Sequence, residues 1–240
     1  MQPAPNRHAP QQGLALRITG LLNTPLVLRL CKIGLFMVCA LPLIDPPLHL
    51  WRDPLALGAN PAEHIIRDWG DWSLQLLLAT LAITPLRLLT GIGPLLQFRR
   101  MLGLFAFASV VLHLLAYLAF DRFFVLAEIW ADLLKRPFIT FGMIAFLLLL
   151  PLALTSTRAM VLRLGGAVWA RLHRLIYPAT VLAVIHHWLM VKRDITTPLV
   201  YAVVLFILLT ARLDFARRLL KSFAPSPRPK KMVSNPDKHA

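Results

Sequence analysis

The sequence predicts an all-α membrane protein: a helical bundle of six transmembrane helices with the N and C termini both on the cytoplasmic side. Three observations carry that reading. Of 240 residues, 58% are hydrophobic and 15% charged, with a mean hydropathy of +0.65, whereas a soluble domain carries about 25% charge. The apolar residues gather in six runs close to the roughly 20 residues that a helix needs to cross a bilayer. The basic residues are divided very unequally between the segments that connect those runs.

Residues 1–28 form an N-terminal arm, polar and Pro-rich over 1–13, with no cleavable signal peptide evident. Leu14 to Leu30 is apolar but interrupted by Arg17, Asn23, Pro25 and Arg29, which predicts an interfacial segment. The membrane domain covers 29–213. Its first span is Leu30 to Leu50, with Pro42, Pro46 and Pro47 expected to make the outer end irregular. A linker follows from Trp51 to Asp71, with Pro54, Gly58, Pro61 and Gly70. The second span is Trp72 to Leu89, containing Pro85, and the third is Met101 to Phe120. Asp121 to Pro137 is a loop of mixed charge in which FFVLAEIWADLL suits a short amphipathic helix. Phe138 to Leu154, Arg171 to Val191 and Pro198 to Leu213 complete the six. Residues 214–240 form a basic, Pro-containing cytoplasmic tail, expected to be disordered beyond about Phe223.

Six spans put both termini on one side, and that side holds 19 of the 26 Lys and Arg but only two of the 11 acids. It therefore carries +17 against −2 opposite. Excess Lys and Arg marks the cytoplasmic face. The net charge of +15 is thus a topology signal, and nucleic acid is not needed to explain it. No Gly-rich phosphate loop or dinucleotide fingerprint is present. Cys31 and Cys39 lie about 12 Å apart along one helix, too far for a disulfide, and read as apolar fillers.

Of eight histidines, His8 and His239 lie in the polar ends, and His49 and His64 suit surface roles near the outer ends of spans. His113, His173, His186 and His187 lie within apolar spans, where an imidazole is costly unless it binds something. Spans three and five run in the same direction. His113 lies about 18 Å up span three, and His186 about 20 Å beyond His173 on span five. His113 and His186 therefore fall at matched depth in the outer half, and His173 at the cytoplasmic edge. Two facing helices with inward histidines can hold a haem iron through its two axial positions. Spacing alone leaves His186 and His187 nearly tied. On ideal geometry His187 is closer to the face of His173, and Pro178 can rotate the upper half. Span three offers no histidine at the depth of His173; Arg99 and Arg100 stand there.

The runs RRMLGLFAFASVVLHLLAY (99–117), RPFITFG (136–142), TSTRAM (155–160), RLHRLIYPATVLAVIHHWL (171–189) and ATLAITPLR (79–87) resemble the haem-binding membrane subunits of bacterial methionine sulfoxide repair systems. These belong to the wider ferric-reductase-like transmembrane family, and the likeness covers about residues 29–213. The resemblance implies an inner-membrane, haem b electron-transfer subunit of an oxidoreductase system. Its electrons would come from the quinone pool or a flavin, FMN being associated with the family. They would pass to MsrP, a periplasmic molybdenum-containing reductase that repairs oxidised periplasmic proteins. Family histidines fall on His113, His173 and His186, which selects His186 over His187: His113 and His186 as axial ligands, His173 for an inner site.

Two rival readings are a histidine-relay transporter without haem, against which no internal repeat is seen, and a direct ferric reductase. Electrons are expected to leave across the short outer loops. These mix charge with the aromatics Trp51, Trp69, Phe123 and Trp130, the make-up of a docking patch.

Overall fold

The computed structural model describes residues 18–22, 24–53, 57–191 and 194–213. Among these there is no strand. The principal helices are α1 (Pro25–Arg52), α2 (Pro61–Thr90), α3 (Leu96–Ala116), α4 (Leu126–Lys135), α5 (Pro137–Leu154), α6 (Arg158–Leu164), α7 (Gly166–Leu172), α8 (Ile176–Met190) and α9 (Thr196–Thr210). A 3₁₀ turn leads into α3 and a π-helical turn, Tyr117–Asp121, continues it. A second 3₁₀ turn, His173–Leu175, joins α7 to α8.

Five helical segments are long and apolar enough to cross a bilayer: α1, α2, Gly93–Asp121, α5 and Gly166–Met190. The sixth expected span is a shorter apolar helix of 15 residues, α9. At 1.5 Å per residue it reaches about 22 Å, less than a hydrocarbon core of about 30 Å. Large apolar side chains are exposed around the bundle, Leu41, Leu147 and Phe206 among them. That is the surface a lipid solvent requires, and the chain is a multi-pass membrane protein. The basic tail and most of the N-terminal arm lie outside the described residues. Residues 25–28, expected in the arm, are the first turn of α1, with Pro25 at a helix start where its missing N–H costs nothing.

The second helix begins well before the expected Trp72. Asn60, Pro61 and Glu63 make its start: the Asn60 side chain accepts from the Glu63 backbone N–H at 3.2 Å. Gly91, at φ 71°, ends it in the left-handed region that glycine favours. This long α2 is the axis of the bundle and packs most extensively on α3, while α5 packs on α8. Leu74, Leu77, Leu81, Ala106, Leu149 and Ala179 are buried where these helices meet.

Prolines inside helices free carbonyls four residues earlier, and distant side chains take them up. Pro47 frees Leu43, whose carbonyl accepts from Trp69 Nε1 at 3.2 Å. Pro85 frees Leu81, whose carbonyl accepts from Arg212 Nη2 at 2.6 Å. Pro137 leaves the Leu133 carbonyl without a helical donor, and Thr140 Oγ1 donates to it at 2.6 Å. Helix α1 runs unbroken to Arg52 through Pro42, Pro46 and Pro47, where an irregular end was expected, and Trp69 takes up the carbonyl freed by the last of them. This contact makes Trp69 a buried cross-link between α1 and α2, not the exposed aromatic that the linker reading implied. Pro178 cannot supply an N–H to the Arg174 carbonyl, and the chain tightens into the 3₁₀ turn His173–Leu175 just before it.

The loop 121–137 folds around a buried acid. Asp132 Oδ2 accepts from the Tyr117 hydroxyl at 2.8 Å and meets Arg122 Nε at 2.5 Å, while its Oδ1 meets Arg136 Nε at 3.2 Å. Asp132 is therefore a structural hub and not part of an exposed charged rim.

Candidate functional site

His113 and His186 come together. They sit on α3 and α8 with ring centroids 6.0 Å apart and planes at 81°. Each is held by the helix its own helix packs against. His113 Nδ1 lies 2.7 Å from the Ile66 carbonyl of α2, and His186 Nδ1 lies 2.6 Å from the Phe138 carbonyl of α5. A carbonyl only accepts, so each Nδ1 carries the proton and each Nε2 keeps its lone pair.

A glycine stands four residues beyond each carbonyl, on the same helical face: Gly70 after Ile66 and Gly142 after Phe138. A Cβ at Gly70 would meet His113 Nδ1 at 2.9 Å, and one at Gly142 would meet His186 Nδ1 at 2.9 Å. The two glycines are thus cradles into which the imidazole edges fit. Ser109, one turn before His113, donates to the Trp69 carbonyl at 2.8 Å and reinforces the α2–α3 contact. The two halves of the site are built alike, the carbonyl-to-histidine separation being 47 residues in one and 48 in the other.

Both histidines line a cavity of about 330 Å³. Its apolar walls include Leu77, Phe146 and Leu149. Its rim is polar, with Asn60, Glu63, Arg67, Asp121 and Arg136 from the helix ends of one face of the bundle. Two neutral imidazoles at this separation leave room for one metal ion between them, at metal–nitrogen bonds of roughly 2 Å. No group of three or more His, Cys, Asp or Glu able to hold a metal exists among the described residues. A metal here must bring its remaining ligands with it, and the donor set fits an iron carried in a macrocycle with one axial imidazole on each side.

His187 lines the same cavity but its ring is engaged by other groups. Its Nδ1 lies 3.3 Å from Asp71 Oδ1 and its ring stands edge-on to Tyr201 at 5.2 Å. Tyr201 accepts in turn from Gln75 at 3.1 Å. The structure thus sets His186, and not its neighbour, opposite His113. His173 is on the other face of the bundle, outside the cavity. Its Nδ1 bonds the Trp169 carbonyl at 3.1 Å, its ring stacks on Trp169 at 3.9 Å, and its Nε2 is buried with no hydrogen-bond partner. Trp169 is fixed by donating to the Thr155 carbonyl at 2.9 Å. His49 and His64 pair with Asp45 and Asp68 on the surface.

Gly70, Gly142 and the Ile66 and Phe138 carbonyls are the features that sequence reasoning missed. The one signal available was a glycine 43 residues before His113 and another 44 before His186.

Membrane helices with two imidazoles facing one another across an internal cavity make a candidate bis-histidine cofactor site inside a membrane bundle. The family model described as "Ferric reductase like transmembrane component" matches residues 69–184. Within that class the similarity is narrower. A Rhodospirillum rubrum protein, "Protein-methionine-sulfoxide reductase heme-binding subunit MsrQ", is 53% identical over 199 residues, covering 82% of this chain and 95% of that protein. Proteins of the same description from Caulobacter vibrioides (50% identical; 70% of this chain, 80% of that one) and Herminiimonas arsenicoxydans (47%; 80% and 88%) are similar too. The chain belongs to the MsrQ family.

Proposed function

We propose that the chain is the haem b-binding, electron-transferring membrane subunit of a methionine sulfoxide reductase system in a bacterial inner membrane. Electrons enter from the quinone pool or from a flavin such as FMN, and leave to MsrP, a periplasmic molybdenum-containing reductase. The observation that carries this reading is the pair His113 and His186, each locked by a backbone carbonyl beside a glycine and each with Nε2 left over. The names of the relatives support it.

In this reading 29–213 forms the membrane domain with six spans, α9 being the last, flanked by the arm 1–28 and the tail 214–240, both cytoplasmic. A haem bound at the site supplies one-electron chemistry through a change in iron oxidation state. His113 and His186 would hold its iron through their free Nε2 atoms. Arg67 and Arg136, which line the cavity, are the residue type that pairs with carboxylates and would be available to the carboxylate groups of a bound haem. The apolar walls exclude water. His173 serves a separate inner cofactor site on the other face.

The test is the absorption spectrum of purified protein with single substitutions. His113→Ala and His186→Ala should each abolish the Soret band that shifts on dithionite reduction, with protein still in the membrane. His187→Ala should retain most of it. Haem lost in His187→Ala and kept in His186→Ala overturns the ligand assignment, and colourless native protein overturns haem binding altogether.

A further inference from the structure

Helix α4 turns three different faces to its surroundings. At 100° per residue, Leu126, Trp130 and Leu134 form one stripe, and they are 80%, 64% and 72% exposed. Glu128 and Lys135, also exposed, lie about 150° around the helix from that stripe. Ile129, Asp132 and Leu133 form the third face, at about 100° from each of the others. This face is the one that packs on the protein, through the contacts of Asp132 with Tyr117, Arg122 and Arg136. Phe123 and Phe124 stand exposed just before the helix, both at positive φ (47° and 57°).

The helix is tied to the membrane at both ends. It follows the spanning segment Gly93–Asp121 and is separated by Arg136 alone from α5. Those neighbouring segments also expose large apolar side chains, Leu115, Phe120 and Ile144 among them. With one face against the protein, the two remaining faces point in nearly opposite directions, and at a bilayer surface those are lipid and water. A stripe turned to a soluble partner would turn Glu128 and Lys135 toward hydrocarbon, where charge is costly.

We infer that α4 lies in the plane of the membrane surface with Leu126, Trp130 and Leu134 sunk among the lipid acyl chains, Phe123 and Phe124 beside them. The aromatic set of this loop is then a lipid anchor and not a docking patch for a soluble reductase. An amphipathic helix with Trp, Phe and Leu on one face is the type that binds in this way, and Trp is enriched at that depth. The anchor also reaches the cavity. The protein-facing Asp132 holds Tyr117 and Arg136, both of which line it, so lipid contact on one side of α4 fixes the cavity rim on the other.

The experiment uses the full chain in phosphatidylcholine–phosphatidylglycerol nanodiscs without any partner. Cys31→Ser removes the exposed native thiol, and Cys39 is fully buried. Spin labels are then placed singly by Leu126→Cys, Trp130→Cys, Leu134→Cys, Glu128→Cys and Lys135→Cys. Labels at 126, 130 and 134 should relax several-fold more strongly with oxygen than with a water-soluble nickel chelate, and labels at 128 and 135 the reverse. Nickel access at 126, 130 and 134 equal to that at 128 and 135 overturns the inference and leaves the stripe open to a protein. A second measurement needs no label. Brominated phosphatidylcholine should quench the part of the tryptophan emission that Trp130→Phe removes, and no quenching of that part overturns the anchor independently.

Discussion

At the scale of single residues, the unusual feature is that two glycines do the work usually given to polar side chains. A ligand imidazole is ordinarily oriented by a hydrogen bond from its other ring nitrogen, and losing that partner costs about 10–100-fold in metal affinity. Here the partner is a main-chain carbonyl, and the glycine one turn later lets the ring reach it. Gly70→Ala and Gly142→Ala should therefore lower haem retention by at least about tenfold. Helix propensity works the other way, favouring alanine by about 1 kcal/mol. The apoprotein should stay as stable as the native one while the haem-to-protein ratio falls. An alanine variant that retains full haem would show that the cradle is not needed. The histidines were legible in the sequence because an imidazole in an apolar run stands out. The glycines were not. Gly70 read as loop and Gly142 as part of a span, and only helix packing shows that each faces a ring. Trp69 misled for the same reason. A tryptophan near a span end suggests an interface, but here its N–H answers a carbonyl that Pro47 left open.

At the scale of elements, proline placement and cross-helix donors form one system. Arg212 lies two residues beyond the end of α9, and its guanidinium bonds both the Tyr177 hydroxyl at 2.7 Å and the Leu81 carbonyl that Pro85 frees. Arg212→Met should destabilise by about 1–3 kcal/mol, because that buried carbonyl loses its donor. In a Pro85→Ala background the restored backbone N–H takes the carbonyl, and the same substitution should cost at least about 1 kcal/mol less. Unfolding in detergent micelles by SDS titration measures all four corners of this cycle, and simple additivity would refute the coupling. Helix existence was largely legible from apolar runs, since a bilayer demands them. Boundaries were less so. The start of α2 was hidden because Glu63, Arg67 and Asp68 look like a loop, although Asn60, Pro61 and Glu63 together carry a helix-start signature. The bend at His173–Leu175 lies a few residues before Pro178, because a proline disturbs the turn that precedes it.

At the scale of the whole molecule, α2 sets the proportions. Thirty residues extend about 45 Å, longer than a hydrocarbon core of about 30 Å, and its first turns, with Glu63 and Arg67, lie at the end of the bundle where the cavity opens. In the orientation proposed above, that end is periplasmic. Alkaline phosphatase fused after Asn60 should be active and a fluorescent protein fused after Ala240 bright. The reverse pattern would turn the cavity toward the cytoplasm and remove a periplasmic acceptor from consideration. For orientation the sequence supplies an expectation, because loop charge is additive along the chain, and the two fusions test it. The likeness of the two half-sites was not legible there. It resides in backbone contacts between helix pairs and leaves only a matched glycine-to-histidine spacing in the residues themselves.

Main-chain acceptors also decide how the centre can be lost by mutation. No missense change at Ile66 or Phe138 deletes a carbonyl, so these positions are free to vary as far as their partners' orientation is concerned. In the proposed function the vulnerable codons are those of His113 and His186, which would take an iron ligand with them, and of Gly70 and Gly142, where any change adds atoms to a space already filled. The genetic target of the centre is thus four codons, two guarded by what they provide and two by what they leave out.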